Sequence, residues 1–143
     1  MVRHGLVSSG LFCSVNVFYE RLSRRSLYFN KGLISVYPLT CVLVFLLCCF
    51  NISAPPSVNL MSEIFLLSRA LGYDTFILLI FPLGSFLGAV FTFFLFSYSQ
   101  HGKGHIGGLG TSGMLYSEYH CLLLHLVPVV LLILNSYLFI IFL

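Results

Sequence analysis

Long apolar runs that are almost free of charge dominate the pattern of this chain. A membrane-spanning helix needs about 20 consecutive, mostly apolar residues. Three runs without any Asp, Glu, Lys or Arg reach that length, at residues 32–54, 75–100 and 121–143. None of them alternates strictly between apolar and polar positions, as strands of an outer-membrane barrel do. The pattern therefore predicts membrane-spanning helices.

Two further apolar segments are less regular. Residues 55–71 are as long as a short spanning helix but carry Glu63 and Arg69. Residues 2–18 are apolar and short, with Arg3 and His4 at their start. We expect the first segment to span the membrane and the second to be the end of a spanning helix whose beginning is missing. A signal peptide is the alternative interpretation of the second segment.

The positions of the five prolines indicate where these apolar segments are kinked or broken. A proline removes one helical hydrogen bond and clashes with the preceding turn, and inside a membrane the freed carbonyl needs another partner. Three prolines lie inside the strong runs and two stand at a junction: Pro38, Pro82, Pro128 and the pair Pro55-Pro56. Ordinary kinked helices are one interpretation. The other is a non-helical break over residues 51–57, of the kind that lines ion or substrate paths in transporters.

Composition narrows the class of protein. Of the 143 residues, 59% are hydrophobic and 8% are charged, whereas soluble domains average about 25% charged residues. A water-soluble monomer is excluded because so few ionic side chains cannot cover its surface. The net charge of +3 is too small for a nucleic-acid-binding face, and disorder does not fit an apolar chain. We predict an all-α polytopic membrane bundle over residues 1–143: about four full transmembrane helices, the end of a fifth, and a proline-broken helix.

Charge in the loops predicts an orientation. Residues 20–31 carry four cations against one anion, while residues 101–119 carry only Lys103 against Glu118. The positive-inside rule places the more basic loop on the matrix or cytoplasmic face. With each predicted helix crossing once, the turn at Asp74 shares that face and residues 101–119 lie opposite.

Glu63 is the only carboxylate well inside an apolar segment, and placing a charge there costs a few kcal/mol or more. On a helix, Asn59 lies one turn earlier on the same face, whereas Arg69 lies on another face. Burial favours the protonated form of a carboxyl group and a neighbouring cation favours the ionised form. A carboxylate balanced between these effects can exchange protons near neutral pH. The alternative is a glutamate neutralised by one fixed partner or facing water.

Other chemistry-bearing residues give weaker signals. The five cysteines mostly lie in apolar segments without a C-x-x-C spacing, so we expect neither a disulfide framework nor an iron–sulfur or other metal site. The glycine-rich residues 102–113 contain two G-x-G-x-x-G patterns, but they lack the strand and βαβ context of a dinucleotide site. For His125, packing or hydrogen bonding is favoured over proton transfer.

Several motifs, in order and spacing, resemble a known family. They are HGLVSSGLF at residues 4–12, YER at 19–21, KGL at 31–33, APPSVNLMSEI at 54–64, FSYSQHGK at 96–103 and LHLVP at 124–128. Together they make the chain similar to subunit 4 of mitochondrial NADH dehydrogenase (ubiquinone), an antiporter-like membrane subunit of complex I. The resemblance covers almost all of the chain but only the last third of that family, so we expect a fragment. The fold of the family consists of two inverted repeats, each with a broken helix.

The resemblance also implies roles for two residues. Glu63 matches the charged residue of the second broken helix, which links the polar axis of the membrane domain to a proton exit. His4 matches a histidine of the same axis, so both are implied to transfer protons. The family's upstream glutamate–lysine pair is absent here, and Ser62 stands where a glycine is usual.

The resemblance therefore implies a proton-translocating subunit of complex I in the mitochondrial inner membrane. Its partners would be the lipid bilayer and other membrane subunits, not nucleic acid. NADH, FMN, iron–sulfur clusters and ubiquinone would be bound elsewhere in the complex. The alternatives are a subunit of a related bacterial cation/proton antiporter and a membrane scaffold without a transport role.

Overall fold

A computed structural model describes residues 2–23, 25–26, 30–55, 57–103 and 113–135 of the chain. Those residues form helices joined by turns and contain no strand, which confirms the predicted all-α class. The helices are α1 (Val2–Leu22), α2 (Leu33–Val36), α3 (Pro38–Asn51), α4 (Val58–Ala70), α5 (Ile77–Gln100) and α6 (Tyr116–Leu134). Within this part of the chain, α5 and α6 are the two that are long and apolar enough to cross a membrane by themselves.

Helix α1 is longer than the apolar segment that predicts it. It has 21 residues and continues to Leu22, with Arg21 in the last turn, where a cation interacts favourably with the helix dipole. Its buried positions recur at helical spacing and face α3 and α6: Val7, Gly10, Ser14, Val17 and Phe18. This spacing gives α1 one packed stripe.

The first strong apolar run is divided, so the expected single helix over residues 32–54 is wrong. Helix α2 ends at Val36 and α3 begins at Pro38. Proline fits the first position of a helix because its missing N–H has no helical partner there. Tyr37 before it has φ −130°, which is outside the helical region, as expected for a residue that precedes proline.

Helix α3 forms the centre of the bundle. On one side Val44 and Cys48 pack with Phe18, Leu33 and Tyr37. On the other side Leu43 and Leu47 pack with Leu122 and Leu126 of α6. The two clusters tie α3 to both neighbouring helices, and Leu47 is completely buried.

The predicted break over residues 51–57 is present. Helix α3 ends at Asn51 and α4 begins at Val58. Helices α3 and α4 have 14 and 13 residues, so each is about 20 Å long, whereas the 24-residue α5 extends about 36 Å.

Helices α3 and α4 together run along α5. The ring of Phe45 in α3 packs at a tilt against that of Phe96 in α5, with 5.4 Å between ring centroids, and the Asn51 side chain donates a hydrogen bond to the Thr92 hydroxyl at 3.4 Å. A short turn over residues 71–76 joins the end of α4 to the start of α5. Helix α4 therefore continues in the direction of α3, beside the first half of α5.

This arrangement corrects the predicted placement of the loops. Arg21, at the start of the basic loop, forms an ion pair with Glu118 at 2.7 Å. At the end of that loop, Lys31 lies 4.2 Å from the Tyr98 ring centroid, and the N–H of the following Gly32 donates to the His101 carbonyl at 3.3 Å. The two ends of the basic loop and residues 101–103 and 113–119 are thus at the same end of the bundle, not at opposite ends, so the predicted placement is wrong.

Pro82 and Pro128 interrupt neither α5 nor α6. Pro82 lies inside α5 and Pro128 inside α6.

Helix α6 begins five residues before the predicted run at 121, because Glu118 accepts a hydrogen bond from the Leu115 N–H at 2.8 Å. Residues 136–143 of that run, and residues 104–112 of the glycine-rich patterns, lie outside the described part of the chain.

Candidate functional site

Glu63 lies in the second turn of α4, close to the break, and is half-buried. Its carboxylate Oε1 accepts a hydrogen bond from the Ser53 hydroxyl. It also accepts one from the Asn59 side-chain amide at 3.4 Å. The same amide donates to the Ser53 hydroxyl oxygen at 2.5 Å. The three side chains form a closed polar cluster, which we call the break cluster, between the break and the start of α4.

Ser53 joins this cluster because of the backbone at the break. It is ten residues from Glu63 in sequence and only 4% exposed. Its φ of +64° is in the left-handed region, which costs a non-glycine residue about 1–2 kcal/mol. This conformation ends α3 and turns the chain so that the Ser53 hydroxyl reaches the start of α4.

Two sequence predictions about Glu63 can be compared with these contacts. Asn59 was expected one helical turn before Glu63 on the same face, and the hydrogen bond between them confirms it. Among the residues that the structure describes, Glu63 forms no ion pair, and its hydrogen-bond partners are neutral. In the described part of the chain, neutral side chains rather than a cation therefore contact the Glu63 carboxylate.

His4 lies in the first turn of α1, where it borders a small cleft at the break. Side chains from four helices and the break line this cleft: Arg3 and His4, Val7, Phe50 and Asn51, Ser57 and Asn59, and Val129 and Ile133. Its empty space is on the scale of a single water molecule. In the described part of the chain no hydrogen bond joins His4 to Glu63. The structure instead brings His4 to the same cleft as Asn59, a direct partner of Glu63.

Two polar atoms at this cleft have no hydrogen-bond partner among the described residues: the Arg3 Nη1 and the Ser57 Oγ. Ser57 is only 4% exposed. A buried polar atom without a partner is costly, and an ordered water commonly satisfies it. The cleft is thus suited to hold water between α1 and the break cluster.

The chemistry available to the cluster follows from its groups. A carboxylate can take up and release a proton, and a hydroxyl can accept one hydrogen bond while donating another. An amide nitrogen only donates, so Asn59 can position the carboxylate but not carry its proton. Proton movement beyond Ser53 would therefore need water in the cleft.

Sequence reasoning missed several members of this site. The positions of Ser53 and Ser57 depend on the path of the chain through the break, and that of Arg3 depends on how α1 packs beside it, so no sequence pattern marks these three residues. His125, by contrast, behaves as predicted. Its Nδ1 is 2.8 Å from the Cys121 carbonyl oxygen within α6, and its Cβ lies near Gly10 of α1, so the packing interpretation is confirmed.

Comparisons with known proteins agree with the resemblance seen in the motifs. The family described as NADH:quinone oxidoreductase/Mrp antiporter, transmembrane, matches residues 1–92. The chain is 43% identical over 136 residues to NADH-ubiquinone oxidoreductase chain 4 of Anopheles arabiensis. It is 46% identical over 136 residues to the protein of that name from Ceratitis capitata, and 37% identical over 136 residues to that from Carassius auratus.

These matches cover nearly all of this chain but less of each relative. They include 95%, 95% and 93% of the chain, respectively, and 62%, 30% and 29% of the three relatives. The chain therefore spans less than two thirds of the length of the relatives described here. The recognition from sequence motifs is confirmed, whereas the proton-transfer roles of Glu63 and His4 stay predictions.

Proposed function

Because the chain belongs to the NADH:quinone oxidoreductase/Mrp antiporter transmembrane family, we propose that it is part of a proton-translocating membrane subunit of respiratory complex I. The whole complex would transfer electrons from NADH to ubiquinone and couple that transfer to proton pumping. The relatives named NADH-ubiquinone oxidoreductase chain 4 support this proposal. The observation that carries the mechanism is a half-buried carboxylate beside a helix break, whose hydrogen-bond donors among the described residues are neutral.

In this proposal Glu63 alternates between its protonated and ionised forms. The Ser53 hydroxyl and Asn59 amide stabilise the ionised form, because hydrogen bonds to a charged group are the strong ones. Conformational or electrostatic changes elsewhere in the complex would shift the balance between the two forms. His4 would relay protons, or stabilise the charge, through water in the cleft that it shares with Asn59.

We assign no redox cofactor to this chain; NADH, FMN, iron–sulfur clusters and ubiquinone would be bound by other parts of the complex. Its partners would be other membrane subunits and the lipid of the mitochondrial inner membrane. Large apolar side chains cover the outer faces of α4 and α5, with Leu79 at 70% and Phe86 at 64% exposure. Apolar surface of this extent supports contact with lipid or with further membrane helices.

The geometry also supports a membrane topology with four crossings: α1, then α2–α3–α4 together, then α5 and α6. Helix α4 is too short to cross a hydrocarbon core of about 30 Å by itself. It continues α3 beside α5, so the two short helices would share one crossing, with the break at membrane depth. The end of the bundle that carries Arg21, Lys31 and residues 101–103 would then face the matrix.

A second candidate function follows from the family description, which also covers Mrp antiporters. A cation/proton antiporter subunit would use the same break cluster without electron transfer. Purification distinguishes the candidates: a complex that contains flavin and iron–sulfur proteins favours the first. A complex of membrane subunits that exchanges Na⁺ for protons without NADH favours the second.

The central experiment replaces Glu63 with Gln in the full-length subunit of an assembled complex. Glutamine keeps the size and polarity of the side chain but cannot exchange a proton. We expect fewer protons translocated per electron, measured in vesicles that oxidise NADH. Ser62→Ala is the matched control, because the Ser62 hydroxyl bonds only the Asn59 carbonyl on its own helix. An unchanged proton-to-electron ratio in Glu63→Gln would contradict the proposal.

A further inference from the structure

Helices α1 and α6 approach each other closely along one seam. An added Cβ on Gly10 of α1 would lie 3.2 Å from the His125 Cβ of α6, and the Arg21–Glu118 ion pair closes the other end of the seam at 2.7 Å. Between these two contacts the Cys13 and Cys121 sulfur atoms are 2.9 Å apart. Both thiols are free and half-buried.

This pair cannot be recognised from sequence spacing, because the two cysteines are 108 residues apart. It differs from Cys41 and Cys48, which are buried within the core around α3. A disulfide requires two sulfurs that can close to about 2.05 Å with a suitable distance between their Cβ atoms. The contact already brings the Cys13 and Cys121 sulfurs near that separation, and the two seam contacts hold their helices in register.

We propose that Cys13 and Cys121 form a redox modification site, at which a hydroperoxide converts the two thiols into a disulfide that links α1 to α6. In the first step the sulfur of one thiol attacks the peroxide, whose O–O bond breaks as the thiol proton passes to the departing oxygen. The products are a sulfenic acid and the corresponding alcohol, or water from hydrogen peroxide. In the second step the other thiol displaces the sulfenic hydroxyl as water and forms the S–S bond. The two sulfurs lose two electrons, which reduce the peroxide, and a dithiol reductant reverses the link.

The location of the pair favours this chemistry over oxidation of Cys41 and Cys48, because those two residues are buried whereas Cys13 and Cys121 are only partly buried. A sulfenic acid formed without a nearby thiol remains open to further oxidation, whereas a resolving thiol in contact traps it as a disulfide. The link would fix α1 against α6 without depending on proton transfer at Glu63.

The test treats membranes that contain the assembled full-length protein with cumene hydroperoxide. After acid quenching, free thiols are alkylated in denaturant and the peptides are analysed by mass spectrometry. We expect alkylated Cys13 and Cys121 to be lost together, with a linked peptide that dithiothreitol separates. Cys48 should remain alkylated.

Variants make the result specific. Cys13→Ser should abolish the linked peptide, while Cys41→Ser should leave it unchanged. If a variant fails to assemble, the mass of the linked peptide from the unmodified protein still identifies which two cysteines are joined. Either of two results would overturn the proposal: both thiols staying fully alkylatable after peroxide treatment, or Cys13 being linked to a different cysteine. Neither result bears on the proton-to-electron ratio of Glu63→Gln, so the two proposals can fail separately.

Discussion

The Ser53 hydroxyl, at the end of α3, donates a hydrogen bond to the Glu63 carboxylate on α4. This bond connects the two halves of a broken helix through the one acidic side chain in the second half. A shift of α4 relative to α3 would lengthen or break it. The contacts of the Glu63 carboxylate therefore depend on the geometry of the break.

The first prediction concerns a variant that removes the Ser53 hydroxyl without disturbing the backbone. Ser53 has a φ of +64°, which glycine adopts without strain. Ser53→Gly should therefore preserve the break and the assembly of the subunit while removing one donor from Glu63. A hydrogen bond to a charged group contributes about 1.5–3 kcal/mol, so the ionised form should be disfavoured and proton translocation slowed. The measurement is the rate of NADH-driven proton uptake in sealed vesicles.

Ser68→Ala serves as the control for Ser53→Gly. The Ser68 hydroxyl donates a hydrogen bond to the Phe65 carbonyl at 2.8 Å on the exposed side of α4, the helix that carries Glu63. We expect this variant to pump protons at the rate of the unmodified protein. Equal rates in Ser53→Gly and the unmodified protein would show that the hydroxyl does not assist Glu63.

The second prediction concerns the close approach of α1 to its neighbours. A Cβ on Gly10 would lie 3.1 Å from the Leu47 Cδ2 and 3.2 Å from the His125 Cβ. Gly10→Leu should therefore overpack the centre of the bundle and destabilise it by about 1–3 kcal/mol. Gly84→Leu is the matched control, because no atom lies within 4 Å of its added Cβ. Thermal inactivation of the assembled protein should occur at a lower temperature for Gly10→Leu only.

How much the sequence predicts depends on how local each relationship is. The pairing of Asn59 with Glu63 follows from helical periodicity and is confirmed, and the prolines at 55 and 56 predict the break. The Ser53–Glu63 bond depends on the path of the chain through that break, and no periodic pattern encodes such a path. Contacts such as Cys13 with Cys121 depend on which helices become neighbours, and a single sequence does not specify that.

The third prediction tests the ion pair between α1 and α6. Arg21 and Glu118 are 13% and 10% exposed at their side chains, and the carboxylate also caps the start of α6. Arg21→Met leaves the Glu118 charge partly buried without its cation, so the thermal midpoint of the assembled protein should fall. The double variant Arg21→Met/Glu118→Leu should recover part of that loss, since it removes the lone charge.

Arg69→Met is the control for Arg21→Met. Arg69 is exposed on α4, so its replacement should leave the thermal midpoint unchanged. Additive losses in the double variant would mean that the two charges act independently, which would contradict a stabilising pair.

The last prediction concerns topology: Arg21, Lys31 and residues 101–103 lie at one end of the bundle, and the turn at Asp74 lies at the other. Single cysteines replace Arg25, Lys103 or Asp74, and a membrane-impermeant thiol reagent is applied to one face of oriented vesicles. Arg25→Cys and Lys103→Cys should be labelled from the same face, and Asp74→Cys only from the opposite face. The unmodified protein supplies the background from its native cysteines. Because α3 and α4 together run along α5, labelling of Asp74→Cys and Arg25→Cys from one face would contradict their single shared crossing.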